Sequence, residues 1–102
     1  MTVMEFSIFP IGKGVSLSKY VAEVINIVKQ SGLDYILGPM GTSVEGDFDN
    51  LLKLLQKCHA YIYNNSDRVY MTVTFDTRKN VRNRLEGKIE SVKKVLSDNK
   101  ES

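Results

Sequence analysis

The chain holds 102 residues, with 14 Lys and Arg against 12 Asp and Glu, for a formal charge of +2. That length fits one domain and leaves no room for two ordinary ones, and an apolar content of 42% argues against a wholly disordered chain. No apolar run approaches the ~18 residues of a membrane-spanning helix, residues 1–9 lack the basic and small-residue features of a secretory signal, and a single cysteine, Cys58, excludes an internal disulfide and a thiol-built zinc site; a reducing, cytoplasmic setting is expected.

Residues 2–9 alternate, with Met4, Phe6 and Ile8 on one side and Val3, Glu5, Ser7 and Phe9 on the other. That period of two predicts a strand, ended by Pro10 and Gly12. A helix follows, with Ser16 or Ser18 placed to cap it and Leu17, Tyr20, Val21, Val24 and Val28 as its apolar stripe. Gly32 supplies the stop. Tyr35–Leu37 reads as a short strand, Gly38-Pro39-Met40-Gly41 as a turn, and Thr42–Glu45 as a third strand. So tight a connection makes the two strands antiparallel neighbours.

Gly46 and Asp47 open a second helix, in which Phe48, Leu51, Leu52, Leu55, Cys58 and Ile62 recur at three and four residues. Asn64, Asn65 and Ser66 break it. Val69, Met71, Val73 and Phe75 then alternate with Tyr70, Thr72, Thr74 and Asp76 in a fourth strand. A last helix carries Leu85, Ile89, Val92 and Leu96 on one face, weakened by an interior Gly87. The order β-α-β-β-α-β-α predicts an α+β, ferredoxin-like βαββαβ antiparallel sheet with an additional C-terminal helix. One domain is expected over residues 1–97, with a polar tail over 98–102.

In such a sheet the helices cover one side. Met4, Phe6, Ile8, Val44 and the apolar residues of the fourth strand are expected to face them. The other side then shows Glu5, Ser7, Phe9, Ser43, Glu45, Tyr70, Thr72, Thr74 and Asp76. This set of hydroxyls, carboxylates and two rings is either a solvated or dimer-buried face or a polar ligand surface. The charge is uneven: residues 78–102 hold eight Lys and Arg against four Asp and Glu, a net +4, and residues 1–77 hold six against eight, a net −2.

Other candidate motifs have plainer readings. Gly12-x-Gly14 before a helix could hold an anion, but it lacks the rest of a P-loop. Cys58 and His59 are adjacent on a helix, so their side chains diverge by about 100° and do not form a nucleophile–base pair. His59 is the only histidine, which makes a metal centre a weak reading. Asp76-x-Arg78 at the end of the last strand either fixes a loop or orients Asp76 toward a ligand.

Four segments come together: Phe9-Pro10-Ile11-Gly12, Gly38-Pro39-Met40-Gly41-Thr42-Ser43-Val44-Glu45-Gly46, Ser66-Asp67-Arg68-Val69-Tyr70 and Asp76-x-Arg78. They resemble the YkoF-like thiamine-binding family of small proteins, with G-T-x-x-E-G as the most specific element and the likeness running over nearly the whole chain. The resemblance implies a ferredoxin-like fold, homodimers packed sheet to sheet, often homotetramers, and binding of thiamine or its hydroxymethylpyrimidine moiety without catalysis.

The chemistry agrees with that implication. An aminopyrimidine suits a carboxylate and hydroxyls, and a cationic thiazolium suits an aromatic ring. From the strand faces the expected ligand-binding set is Ser7, Phe9, Thr42, Ser43, Glu45, Asp76 and Arg78. No cofactor, metal or membrane partner is called for.

Three other classes share this element order or this surface. An acylphosphatase-like enzyme needs an arginine in its glycine loop, and no arginine precedes Arg68. An RNA-recognition domain needs rings on the central strands, where Glu5, Ser7, Ser43 and Glu45 stand; no nucleic acid is expected. The strongest alternative is an oligomeric regulatory module binding another small metabolite.

Overall fold

The alternation of residues 2–9 becomes the central strand of a sheet, and the rest of the molecule is arranged around it. The computed structural model describes residues 1–12, 17–80 and 85. The elements run β1 (Thr2–Pro10), α1 (Ser18–Gln30), β2 (Asp34–Leu37), β3 (Thr42–Gly46), α2 (Phe48–Asn64) and β4 (Val69–Thr77). The four strands lie in the order β2-β3-β1-β4, each antiparallel to its neighbours. This is the α+β, ferredoxin-like arrangement expected from the element order. The expected C-terminal helix and the 97/98 boundary lie outside the described residues, except for Leu85, which is buried.

Met4, Phe6 and Ile8 point to the helix side with Val44, Val24, Val28, Leu51, Leu54, Leu55, Cys58 and Ile62, and together they form one buried cluster. Each such side chain contributes roughly 1.5–3 kcal/mol of hydrophobic stabilisation. The fourth strand follows the same alternation: Phe75, Val73 and Met71 pair across from Met4, Phe6 and Ile8. β4 lies at the edge of the sheet, however, so Met71 and Phe75 stay 37% and 39% exposed. The helix stripes are likewise only partly buried. Leu17, just before α1, and Val21 within it are exposed, and in α2 Leu54 is buried while Phe48 and Leu52 are exposed. A helix lying on a sheet buries an arc narrower than the apolar arc these two sequences carry.

Helix ends are set by local chemistry. Ser18 is the first residue of α1, and Leu17 occupies the cap position. Gly32 takes a positive φ of 74° after α1, which a glycine adopts freely. At the end of α2, Ser66 Oγ donates to the Ile62 carbonyl at 2.8 Å and Asn65 Nδ2 to the Tyr61 carbonyl at 2.7 Å, occupying carbonyls that the helix leaves open.

The hydrogen-bond phase of the sheet is fixed at its ends. Met1 and Arg78 exchange backbone bonds at 3.1 and 3.2 Å, and Ile11 N–H donates to Arg68 at 3.0 Å. Odd residues of β1 therefore turn their backbone groups toward β4, and even residues turn theirs toward β3. This explains why β1 runs through Pro10, one residue past the expected end: its missing N–H faces the β3 side, where pairing has already stopped at Phe6↔Thr42.

β2 and β3 are joined by Pro39 and Met40, with Gly38 N–H donating to the Gly41 carbonyl at 2.9 Å. Gly41 lies against β1: a Cβ there would sit 2.9 Å from the Phe6 carbonyl oxygen. Backbone cannot yield as a side chain can. Gly41→Ala is expected to destabilise the fold by about 1–3 kcal/mol, read as a lower midpoint in chemical denaturation.

Candidate functional site

The side of the sheet away from α1 and α2 can be read row by row from the register. One row is Asp34, Glu45, Val3 and Asp76; the next is Ile36, Ser43, Glu5 and Thr74; then come Ser7 and Thr72, and finally Phe9 and Tyr70. This face is acidic at one end, hydroxyl-rich in the middle and aromatic at the other end. The Phe9 and Tyr70 rings lie 5.4 Å apart, tilted by 32°.

The acidic end forms a cleft of about 380 Å³ lined by Val3, Glu5, Ser43, Thr74, Phe75, Asp76 and Leu85. That volume falls within the usual range for small-molecule sites, roughly 300–1,000 Å³. Glu5 lies diagonally across from both Glu45 and Asp76, a spacing of about 7–8 Å. Asp34 stands directly opposite Glu45. Like charges placed opposite one another oppose folding, so this face favours a cation. Among the described residues no three His, Cys, Asp or Glu side chains converge as metal ligands. The carboxylates are spread along a surface, which suits a larger organic cation.

Glu45 is 5% exposed although it lies on the side opposite both helices. Glu45 and Asp76 each make an interaction within the chain.

Of the seven residues expected from the sequence, Ser7, Phe9, Ser43, Glu45 and Asp76 share this face. Arg78, two residues beyond Asp76, follows on the same side at the strand's end, where its backbone pairs with Met1. Thr42 does not join them. It pairs with Phe6 on the helix side and lines a smaller cleft of about 220 Å³ formed by α1, the β2–β3 turn and Phe6. Ser43 lines the larger cleft and Thr42 the smaller one, which it shares with Ser7. The expected ligand-binding set lacks five of the lining residues, Val3, Glu5, Thr74, Phe75 and Leu85. Period-two counting already put Val3 and Thr74 on the right face, but no local pattern shows that Leu85 lies against them.

Cys58 and His59 part ways as their adjacency on α2 requires. Cys58 is fully buried in the core, and burial pushes its thiol up to about 11, away from thiolate chemistry. The exposed ring of His59 stacks on Tyr63 at 5.7 Å. Neither reaches the carboxylate face.

Comparison with known proteins gives a consistent picture. The family model described as "Thiamine-binding protein" matches residues 4–93. The UPF0045 protein MJ1052 of Methanocaldococcus jannaschii is 40% identical over 90 residues, covering 88% of this chain and 90% of its own. Its crystal structure superimposes with a TM-score of 0.80 over 89% of this chain and 94% of that one. The UPF0045 protein YqgV of Bacillus subtilis is 35% identical over 102 residues, covering 94% of this chain and 98% of its own. A Thermotoga maritima protein with a provisional assignment to thiamine biosynthesis or salvage shares the fold, with a TM-score of 0.74 at 19% identity over 84% of this chain and 92% of that one.

Proposed function

The chain belongs to the thiamine-binding protein family, and from that premise we propose that it binds thiamine, or the hydroxymethylpyrimidine moiety of thiamine, as a cytoplasmic, non-catalytic small-molecule binding protein. The observation that carries this reading is the carboxylate-lined cleft on the open side of the sheet. Glu5 and Asp76 line it, Ser43 and Thr74 supply hydroxyls, and Glu45 stands in the row of Val3 and Asp76, beside the lining residues. An aminopyrimidine presents an exocyclic amino donor and ring-nitrogen acceptors, which a carboxylate and hydroxyls match in polarity. The fixed positive charge of the thiazolium suits the acidic rows.

In this reading Glu45 accepts from the exocyclic amino group, Ser43 and Ser7 complete the hydrogen bonds, and Asp76 faces the cation, with Arg78 ordering the strand end. Phe9 and Tyr70 offer rings at the far end of the face. Thr42 is left out, since the register turns it away. Among the described residues no helix is long and apolar enough to cross a membrane.

Titration calorimetry with thiamine and with hydroxymethylpyrimidine tests the proposal. Saturable heat with one of them at micromolar to millimolar concentration is the expected outcome. No heat from either at millimolar concentration rejects the ligand class and leaves a module for another metabolite.

A further inference from the structure

We propose that the smaller cleft, between α1 and the β2–β3 turn, is a second binding site, and that it takes one neutral planar heterocycle through the backbone N–H and C=O of Ile8.

The site arises where two strands part. Even residues of β1 turn their backbone groups toward β3, and Thr2, Met4 and Phe6 meet Gly46, Val44 and Thr42 there. The same register would set Ile8 opposite Met40. Met40 lies instead in the turn closed by the Gly38–Gly41 bond, where it is 85% exposed. On its other side Ile8 faces Met71 as a non-hydrogen-bonded pair. Among the described residues the Ile8 N–H and C=O therefore have no backbone partner. Backbone groups inside a fold are nearly always paired, with protein, water or ligand. These two open toward the cleft, which Ile8 lines.

Their arrangement selects the ligand. In a strand the N–H and C=O of one residue point the same way, and an antiparallel partner answers them with one acceptor and one donor. A heterocycle can answer them with a ring nitrogen beside an amino group, or with a lactam carbonyl beside its N–H. An added peptide strand is disfavoured, because the next even residue is Pro10, which has no N–H to continue the ladder. One residue's donor and acceptor are all that this edge offers.

Size and polarity agree. The cleft measures about 220 Å³, and an apolar cavity of about 150 Å³ takes up benzene. Val21, Val24 and Ile25 form the wall on α1, and Leu37 and Met40 stand on the turn side. Val21 and Leu37 are exposed, so a seated ring would take apolar surface out of water. No Lys, Arg, Asp, Glu or His lines the cleft. A charged ligand would lose its water there without gaining a partner, which sets this site apart from the acidic side of the sheet. The Thr42 hydroxyl makes no hydrogen bond among the described residues and adds one adaptable polar group.

Nuclear magnetic resonance of the nitrogen-labelled full chain tests this, with 2-aminopyrimidine and 2-pyridone as probes of the two kinds of edge. At least one of them is expected to move the Ile8 amide resonance saturably at millimolar concentration, together with those of Val21, Leu37 and Thr42. Pyrimidine and pyridine, which lack the donor, should bind at least threefold more weakly, since they leave the Ile8 carbonyl unanswered. Val21→Trp fills the cleft from an exposed position and should abolish the effect without lowering the thermal melt. Leu37→Trp repeats the test from the opposite wall should the first variant melt early. The proposal is overturned if neither probe moves Ile8, if the rings without a donor bind equally well, or if binding survives in the folded tryptophan variants. Movement confined to Glu5, Ser43 and Thr74 also overturns it and assigns the probes to the acidic cleft. Thiamine takes no part in the measurement, so a failure of thiamine to bind leaves this result standing.

Discussion

Glu45→Gln is expected to weaken thiamine binding at least tenfold while leaving the fold and the molar mass unchanged. The substitution keeps the shape of the side chain and turns one acceptor oxygen into a donor, which faces the donor amino group of the pyrimidine. A charge-assisted hydrogen bond is worth on the order of 1.5–3 kcal/mol, and a tenfold change corresponds to about 1.4 kcal/mol. Because Glu45 is buried and already makes an interaction within the chain, the measurement is calorimetry alongside a thermal melt of the same sample. Equal affinity in the two proteins would reject the role given to Glu45. Weaker binding with a lowered melt would assign Glu45 to the fold.

The second large effect is on stability. Leu51 in α2 is 0% exposed and belongs to the single buried cluster beneath the sheet. Leu51→Ala removes its packing and leaves a cavity that β1 and β3, braced on both sides by neighbouring strands, can close only in part. A loss of about 2.7–5 kcal/mol is expected, measured from urea or guanidinium midpoints at unchanged slope. Domains of this size hold only about 5–15 kcal/mol in total, so the variant should unfold well below the wild-type midpoint. A loss under about 1 kcal/mol would mean that α2 is not anchored at this point.

The sheet and its two faces were legible in the sequence because strand alternation is strict. Met4, Phe6 and Ile8 could face only one way, and Glu5, Ser7 and Phe9 only the other. The same rule should have separated Thr42 from Ser43. They are neighbours in β3, and the register turns Thr42 to the helix side with Phe6 and Ser43 to the other side with Glu5. Helix stripes were less informative. Phe48 and Leu52 carry the period of a core face yet stay exposed, because what an apolar residue packs against is decided by its neighbours in space. The burial of Glu45 was not legible at all. Strand alternation puts it on the side of the sheet away from α1 and α2, and alternation alone carries no sign that the side chain is shielded from water. That Leu85 lines the same cleft as Val3 and Thr74 was no more legible, because strand alternation says nothing of a residue beyond β4.

The pairing of β1 also has a consequence in time. β1 matches β3 over five residues but β4 over nine, from Thr2↔Thr77 to Pro10↔Val69, and the Thr2 and Thr77 hydroxyls close the far end at 2.8 Å. During synthesis β1 emerges well before β4, and its longer ladder cannot form until residue 77 has cleared the ribosome. Until then one edge of the central strand stays unpaired, next to a half-built apolar layer. Closing so long a loop is entropically costly, and mixed folds of this kind fold more slowly than helical bundles. A nascent chain of which only residues 1–64 have emerged would carry both helices and three strands without the strand that completes the sheet, and in that interval it would be most in need of a chaperone.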